Sequence, residues 1–189
     1  MEDLRDDIKS LLLSSTKRNF VLECATGTGK TYLALQKVNQ LYTTDSKILI
    51  VIPRNVLIQN WIEEFKKWHY EDMLSNVTFV TYVSLPKMAG TWDICIFDEC
   101  HHLSERCREA LRSFCIHHSL FLSATINKEI RNYINLKFTE QEAIDATKEY
   151  VDSYKDDTTK MRLLKYFILR TYFDNKKNSH FSAFDQHFS

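Results

Sequence analysis

Five short apolar runs, separated by amphipathic stretches, set the terms on which this chain can fold. The runs are NFVLECA (19–25), KILIVIP (47–53), NVTFVTY (76–82), DICIFDE (93–99) and SLFLSA (119–124). They are rich in Val, Ile and Phe and too short for helices, which marks them as buried strands. Between them lie TYLALQKVNQLY (31–42), RNVLIQNWIEEFKKWHYED (54–72) and SERCREALRSF (104–114), each with apolar residues three and four apart, the helical period. Strands that are apolar on both sides and alternate with helices predict an α/β fold, a mostly parallel sheet sandwiched by helices.

The chain has 189 residues, 44% of them hydrophobic, which suits one domain with a sizeable core plus an extra segment. Chain breakers are scarce: the glycines are Gly27, Gly29 and Gly90, and the prolines Pro53 and Pro86. Residues 125–188 contain neither type, and EAIDATKEYVDSYKDDTTKMRLLKYFILRTYF reads as mainly helical. The expected division is an α/β domain over residues 1–134 and a helical tail or linker over 135–189, with the change of character near 127–138.

Two glycines sit where they carry chemistry. CATGTGKT (24–31) follows the first strand directly and opens the first long helical pattern, the setting a phosphate-binding loop requires. Glycines let backbone N–H groups approach phosphate oxygens, and the helix N-terminus adds a favourable field. Ala25, Thr26, Gly27, Thr28, Gly29, Lys30 and Thr31 form the candidate cradle, with Lys30 reaching the β/γ-phosphates and the Thr31 hydroxyl on Mg²⁺. The strict G-x-x-x-x-G-K-[ST] pattern has Gly where Cys24 stands, a small residue that is sterically admissible.

The fourth run delivers Asp98 and Glu99 to the carboxyl edge of the sheet, where ligands bind in open α/β folds. Phosphoanhydride hydrolysis needs a carboxylate on the metal and a group to orient and deprotonate water. Asp98 suits the first task and Glu99 the second. Two acids can also simply end a strand at water; their occurrence downstream of CATGTGKT favours the chemical reading.

CATGTGKT, DECHH (98–102) and SAT (123–125) occur in that order, each at a strand end. In this the chain resembles the first RecA-like domain of superfamily 2, DExH-type helicases, especially the group similar to type III restriction enzyme helicase subunits. The resemblance covers roughly residues 20–125 and implies ATP and Mg²⁺ as ligands and a nucleic-acid strand, DNA in preference to RNA, as partner. It implies that His101 relays nucleotide state and that Ser123, Ala124 and Thr125 couple hydrolysis to domain movement. IPRNVLIQNWIEEF and VTYVSL match the family's strand-contacting segments, which places Pro53, Arg54, Thr81 and Tyr82 against a sugar-phosphate backbone. Trp61 and its apolar neighbours on that helical stretch read as packing.

The chain departs from the family in two places. No Q-x-x-G-R-x-x-R occurs, since no glycine follows Gly90, so the arginines that complete the ATP site must come from a second RecA-like domain elsewhere. Such arginines supply ~10³ to 10⁵ in rate, and the chain alone is expected to bind ATP and hydrolyse it poorly. The alternative class is a non-enzymatic split half that binds nucleotide or a partner protein. At the front, LRDDI (4–8) stands where relatives have L-R-x-x-Q, and Ile8 cannot read adenine as the Gln does.

Other features read as structural. Cys100, His101, His102, Cys107, Cys115, His117 and His118 lack the paired spacing of a zinc site, and none is expected. Five cysteines without a C-x-x-C pair point to a reducing, intracellular setting, whether cytoplasm, nucleus or a viral or host compartment. The acidic start and the lack of a membrane-length apolar run predict a soluble protein with no membrane partner. Lys plus Arg and Asp plus Glu both number 25, so any basic footprint for nucleic acid must be local.

Overall fold

The computed structural model describes residues 2–137 and 167–170. All five apolar runs are strands: β1 (Asn19–Cys24), β2 (Ile48–Ile52), β3 (Val77–Thr81), β4 (Gly90–Asp98) and β5 (Phe114–Ser123). They form a parallel set in the order β3-β2-β4-β5-β1, extended by the antiparallel β6 (Phe167–Arg170) beside β1. Helices α1 (Glu2–Ser14), α2 (Lys30–Leu41), α3 (Leu57–Lys67), α4 (Glu105–Ala110) and α5 (Lys128–Lys137) cover it.

Successive residues of a strand point to opposite faces, so each strand feeds two cores. Phe20, Leu22, Ile48, Ile50, Ile94 and Leu120 pack with Leu33 and Leu35 of α2 and Trp61 and Phe65 of α3. Val21, Leu49, Val51, Cys95, Phe97 and Phe121 pack on the other face with Cys107 of α4 and Ile130 and Ile134 of α5. Phe97 and Phe121 stack across β4 and β5, centroids 4.7 Å apart and planes within 7°. Both faces being covered explains why β2 is buried at every position.

β4 and β5 begin earlier than their apolar runs: β4 opens on two exposed and two half-buried residues, and β5 alternates exposed and half-buried positions after Phe114, as a strand half in water does. The segment LRDDI, read for its base contact, lies inside α1, whose Ile8 and Leu12 are fully buried four residues apart. Two side chains of α2 satisfy carbonyls at the end of α1: Lys37 Nζ donates to Ser15 O at 2.9 Å and Gln40 Nε2 to Leu13 O at 2.7 Å. Burial lowers the Lys37 ammonium from its ordinary range to a pKa of about 8.

The helical stretch expected over 54–72 stops at Lys67. His69 adopts φ 59°, its N–H donates to Lys66 O, and the Tyr70 N–H donates to Phe65 O at 2.8 Å. That is a Schellman ending with His where glycine is usual. A side chain in the left-handed region costs roughly 1–2 kcal/mol, partly offset by the greater chain entropy of glycine. His69→Gly is therefore expected to stabilise the fold by about 0.5–1 kcal/mol, read as a higher urea midpoint at unchanged slope; no gain would mean that His69 has contacts which outweigh the strain.

The helical reading of MRLLKYFILRTYF is corrected at Phe167–Arg170, which is β6, paired with Val21–Cys24 of β1. The open edge of β1 offers unpaired backbone groups to an extended segment, and tertiary pairing overrides local periodicity there. The remainder of the expected helical tail lies outside the described residues. α5 runs through position 134, where the sequence reading divides the chain, with Ile134 fully buried in the main core. No described helix is long and apolar enough to cross a membrane.

Candidate functional site

Five parallel strands end at one edge, and strand order fixes what meets there. Across the sheet the ends run Thr81 (β3), Ile52 (β2), Asp98 (β4), Ser123 (β5) and Cys24 (β1). The segments CATGTGKT, DECHH and SAT, far apart in sequence, are therefore neighbours, with the Pro53–Arg54 and Thr81–Tyr82 segments on the far side of Asp98.

The loop from β1 into α2 turns on Gly27 (φ 80°) and Gly29 (φ 88°). A Cβ at Gly27 would meet nothing within 4 Å, so the backbone conformation alone demands glycine there; at Gly29 it would lie 3.3 Å from Arg5 Cδ. Thr28 Oγ1 donates to Ala25 O at 2.7 Å and braces the loop. Gly29 is the N-cap of α2 and no side chain caps that helix, so its first-turn N–H groups are available to an anion. Cys24 sits in the core, 1% exposed, and burial pushes its thiol pKa up to about 12. Its side chain joins the core on the α2 face of the sheet and lies in hydrogen-bonding contact with Thr28.

Lys30 is 9% exposed; its Nζ donates to Cys24 O at 2.9 Å and stands 3.9 Å from Glu99 Oε1. Asp98 Oδ2 accepts from Trp61 Nε1 at 3.0 Å, and the Asp98 carbonyl accepts from the Tyr82 hydroxyl at 2.8 Å. Burial raises the Asp98 pKa; the Trp61 hydrogen bond opposes this, the Glu99 charge adds to it, and Lys30 opposes it. Glu99 is in the left-handed region at φ 49°, ψ 58°, strain of a kind that collects at functional sites. Its other oxygen lies 3.4 Å from His101 Nδ1.

His101 Nδ1 is 2.9 Å from Ser123 Oγ, which donates to Thr125 O at 2.8 Å. With the hydroxyl proton so committed, the tautomer that satisfies the chain carries hydrogen on Nδ1. DECHH and SAT are thus joined side chain to side chain. Ser123 is fully buried, Ala124 half-buried and Thr125 exposed.

A cleft of about 500 Å³ opens between the loop, the start of α2 and one face of α3; Gly27, Gly29, Lys30, Thr31, Asp98 and Glu99 line one side, Leu57, Asn60, Trp61 and Trp68 the other. Of the residues expected to meet a strand, Arg54 is exposed, Pro53 and Thr81 are half-buried, and Tyr82 is only 5% exposed. Tyr82 points into the domain, its hydroxyl on the Asp98 carbonyl. Val80 and Tyr82 are two apart in an extended chain and share the inward face, a signal the sequence already carried.

Two site residues escaped the sequence reading. Trp61, read as packing, is also the donor to Asp98. Glu23, the acid within the first apolar run, accepts from the Ile126 N–H at 3.1 Å and from Arg131, tying β1 to the segment after SAT. Among the described residues no group of three His, Cys, Asp or Glu could hold a metal alone; Cys100 and Cys107 are buried in the core and Cys115 is exposed.

The family model described as type III restriction enzyme, res subunit, matches residues 1–83, which span α1 to the end of β3 and include the phosphate loop. No curated protein matches the chain. Among solved structures, the UvsW helicase from bacteriophage T4 matches with a TM-score of 0.55 at 16% identity, covering 70% of this chain and 55% of that one. A hypothetical ATP-dependent RNA helicase from Sulfolobus tokodaii matches with a TM-score of 0.49 at 19% identity, covering 74% and 50%. The chain thus spans about half the length of each. Over residues 1–83 the chain is thus similar to the res subunit of type III restriction enzymes, and it shares its fold with part of the UvsW helicase.

Proposed function

We propose that the chain is the ATP-binding domain of a DExH-type helicase or translocase, which couples ATP hydrolysis to movement on a nucleic-acid strand when a second RecA-like domain completes it. The observation that carries this reading is the convergence of Lys30, Asp98 and Glu99 on one cleft beside an uncapped helix N-terminus.

The residues present fit Mg²⁺ and a nucleoside triphosphate. The N–H groups at the start of α2 receive phosphate oxygens, and Lys30, which rests on the carbonyl of Cys24, exchanges that contact for a phosphate. Thr31 and Asp98 hold the metal ion, which neutralises phosphate charge when bound. Glu99 orients the attacking water and takes its proton. His101, Ser123 and Thr125 form the hydrogen-bonded path by which the state of the site reaches the neighbouring domain. Residues 1–134 form the working unit of this domain.

The strand, DNA in preference to RNA, lies along the loops after β2 and β3, where Pro53, Arg54 and Thr81 meet its backbone. Val56 and Val83, the exposed large apolar side chains among the described residues at 73% and 83%, stand on the same two loops and offer contact area to sugars. Arginines from the second domain supply the remaining rate, so turnover by this chain alone is low.

The test is titration of Mg²⁺ and a fluorescent ATP analogue into the full chain, followed by steady-state turnover with and without single-stranded DNA or RNA. Saturable, Mg²⁺-dependent binding and slow turnover that rises with DNA more than with RNA are expected. No nucleotide binding at millimolar concentration would overturn the reading.

A further inference from the structure

We infer that Trp61 and Tyr82 are positioning residues for Asp98, and that through them the loops after β2 and β3 govern how tightly the site takes up its divalent cation. The inference rests on Asp98 being the metal-holding carboxylate, as proposed above.

Asp98 is gripped from two directions by aromatic donors. The Trp61 indole holds side-chain oxygen Oδ2 at 3.0 Å, and the Tyr82 hydroxyl holds the main-chain carbonyl at 2.8 Å. Both side chains are nearly dry, at 2% and 5% exposure. An indole N–H can only donate, and a buried donor without an acceptor costs about 1–3 kcal/mol, so the Trp61 ring and the carboxylate fix each other's orientation.

Each donor belongs to a segment that begins at a loop on the strand-facing edge. Trp61 lies on α3, which starts just after Pro53 and Arg54; Tyr82 follows Thr81 directly. The two loops are themselves linked, because the Tyr82 N–H donates to Ile52 O at 3.2 Å. Tyr82 is held from behind as well, its carbonyl accepting from Cys107 Sγ of α4 at 3.0 Å. A displacement of either loop therefore reaches Asp98 through one hydrogen bond. At Tyr82 phenylalanine serves packing nearly as well and lacks only the hydroxyl, and that difference is what the test exploits.

The experiment uses the full chain, a fluorescent non-hydrolysable ATP analogue and a Mg²⁺ titration, with and without a single-stranded DNA oligonucleotide. Trp61→Phe and Tyr82→Phe each remove one donor and keep a ring. Both are expected to raise the Mg²⁺ concentration for half-maximal nucleotide binding, about tenfold for Trp61→Phe, while for Tyr82→Phe, at a position that does not line the cleft, binding without Mg²⁺ stays as in the parent. Both should also lose any shift of that concentration produced by DNA. Asp98→Asn is the reference: if it raises the Mg²⁺ requirement while both Phe variants match the parent, the positioning role is wrong and the site assignment stands. If Asp98→Asn leaves the requirement unchanged, the assignment itself fails. Circular dichroism checks folding, and should Trp61→Phe not fold, Tyr82→Phe, which deletes only a hydroxyl, decides the matter.

Discussion

Lys30→Ala is expected to weaken binding of Mg²⁺-nucleotide about 100-fold while leaving the fold intact. A hydrogen bond between ionised partners is worth about 1.5–3 kcal/mol, and a lysine that approaches two phosphates makes more than one, so a loss near 3 kcal/mol, or about 100-fold, follows. In the free protein Lys30 spends its donors on the carbonyls of Cys24 and Ala25 and stands 3.9 Å from Glu99. Glu99 is 29% exposed, so water can take the place of the ammonium beside it without stranding a buried charge. Isothermal titration calorimetry reads the affinity, and a thermal melt reads the fold. A variant that binds within about threefold of the parent would remove Lys30 from the phosphate site.

Glu99→Gln is expected to act on rate and not on affinity. Glutamine keeps the shape, and φ 49° is no worse for it than for glutamate, but an amide cannot take a proton from water. Loss of a general base lowers rate by about 10²- to 10⁴-fold. Single-turnover hydrolysis in the presence of an oligonucleotide should show that fall, with nucleotide affinity within about twofold of the parent. A drop of less than about tenfold would assign proton removal elsewhere; His101, 3.4 Å from the same carboxylate, is the group to test next.

Much of this arrangement is legible in the sequence. The five strands and the order of their terminal motifs followed from apolar run length and from turn chemistry, which are local properties. What the sequence withheld are relations between distant residues. The hydrogen bond from Trp61 to Asp98 joins positions 37 apart, and no periodicity distinguishes a tryptophan that packs from one that also donates. The end of α3 at Lys67 depends on His69 taking a conformation glycine normally takes, against the apolar and charged pattern that continues to Asp72. α1 was read for one missing base contact, and its Ile8 and Leu12 stripe, which packs the helix on α2, was overlooked. Tyr82 is the contrary case, since the two-residue period it shares with Val80 already placed it inward.

The position of β1 in the sheet has a consequence for the order in which the molecule can be made. β1 emerges first, yet its strand neighbours are β5 and β6; Asn19 must wait for Ser119, 100 residues later. β2, β3 and β4 can pair as soon as each is synthesised, because they adjoin one another. On a ribosome, a nascent chain that has not yet delivered β5 has three paired strands and a phosphate loop tethered to a strand with nothing beside it. Long-range closure of this kind is slow, and an unpaired hydrophobic strand is an aggregation hazard while it waits. Nucleotide affinity should thus appear late and abruptly during synthesis, when β5 slots between β4 and β1 and brings Ser123 to His101.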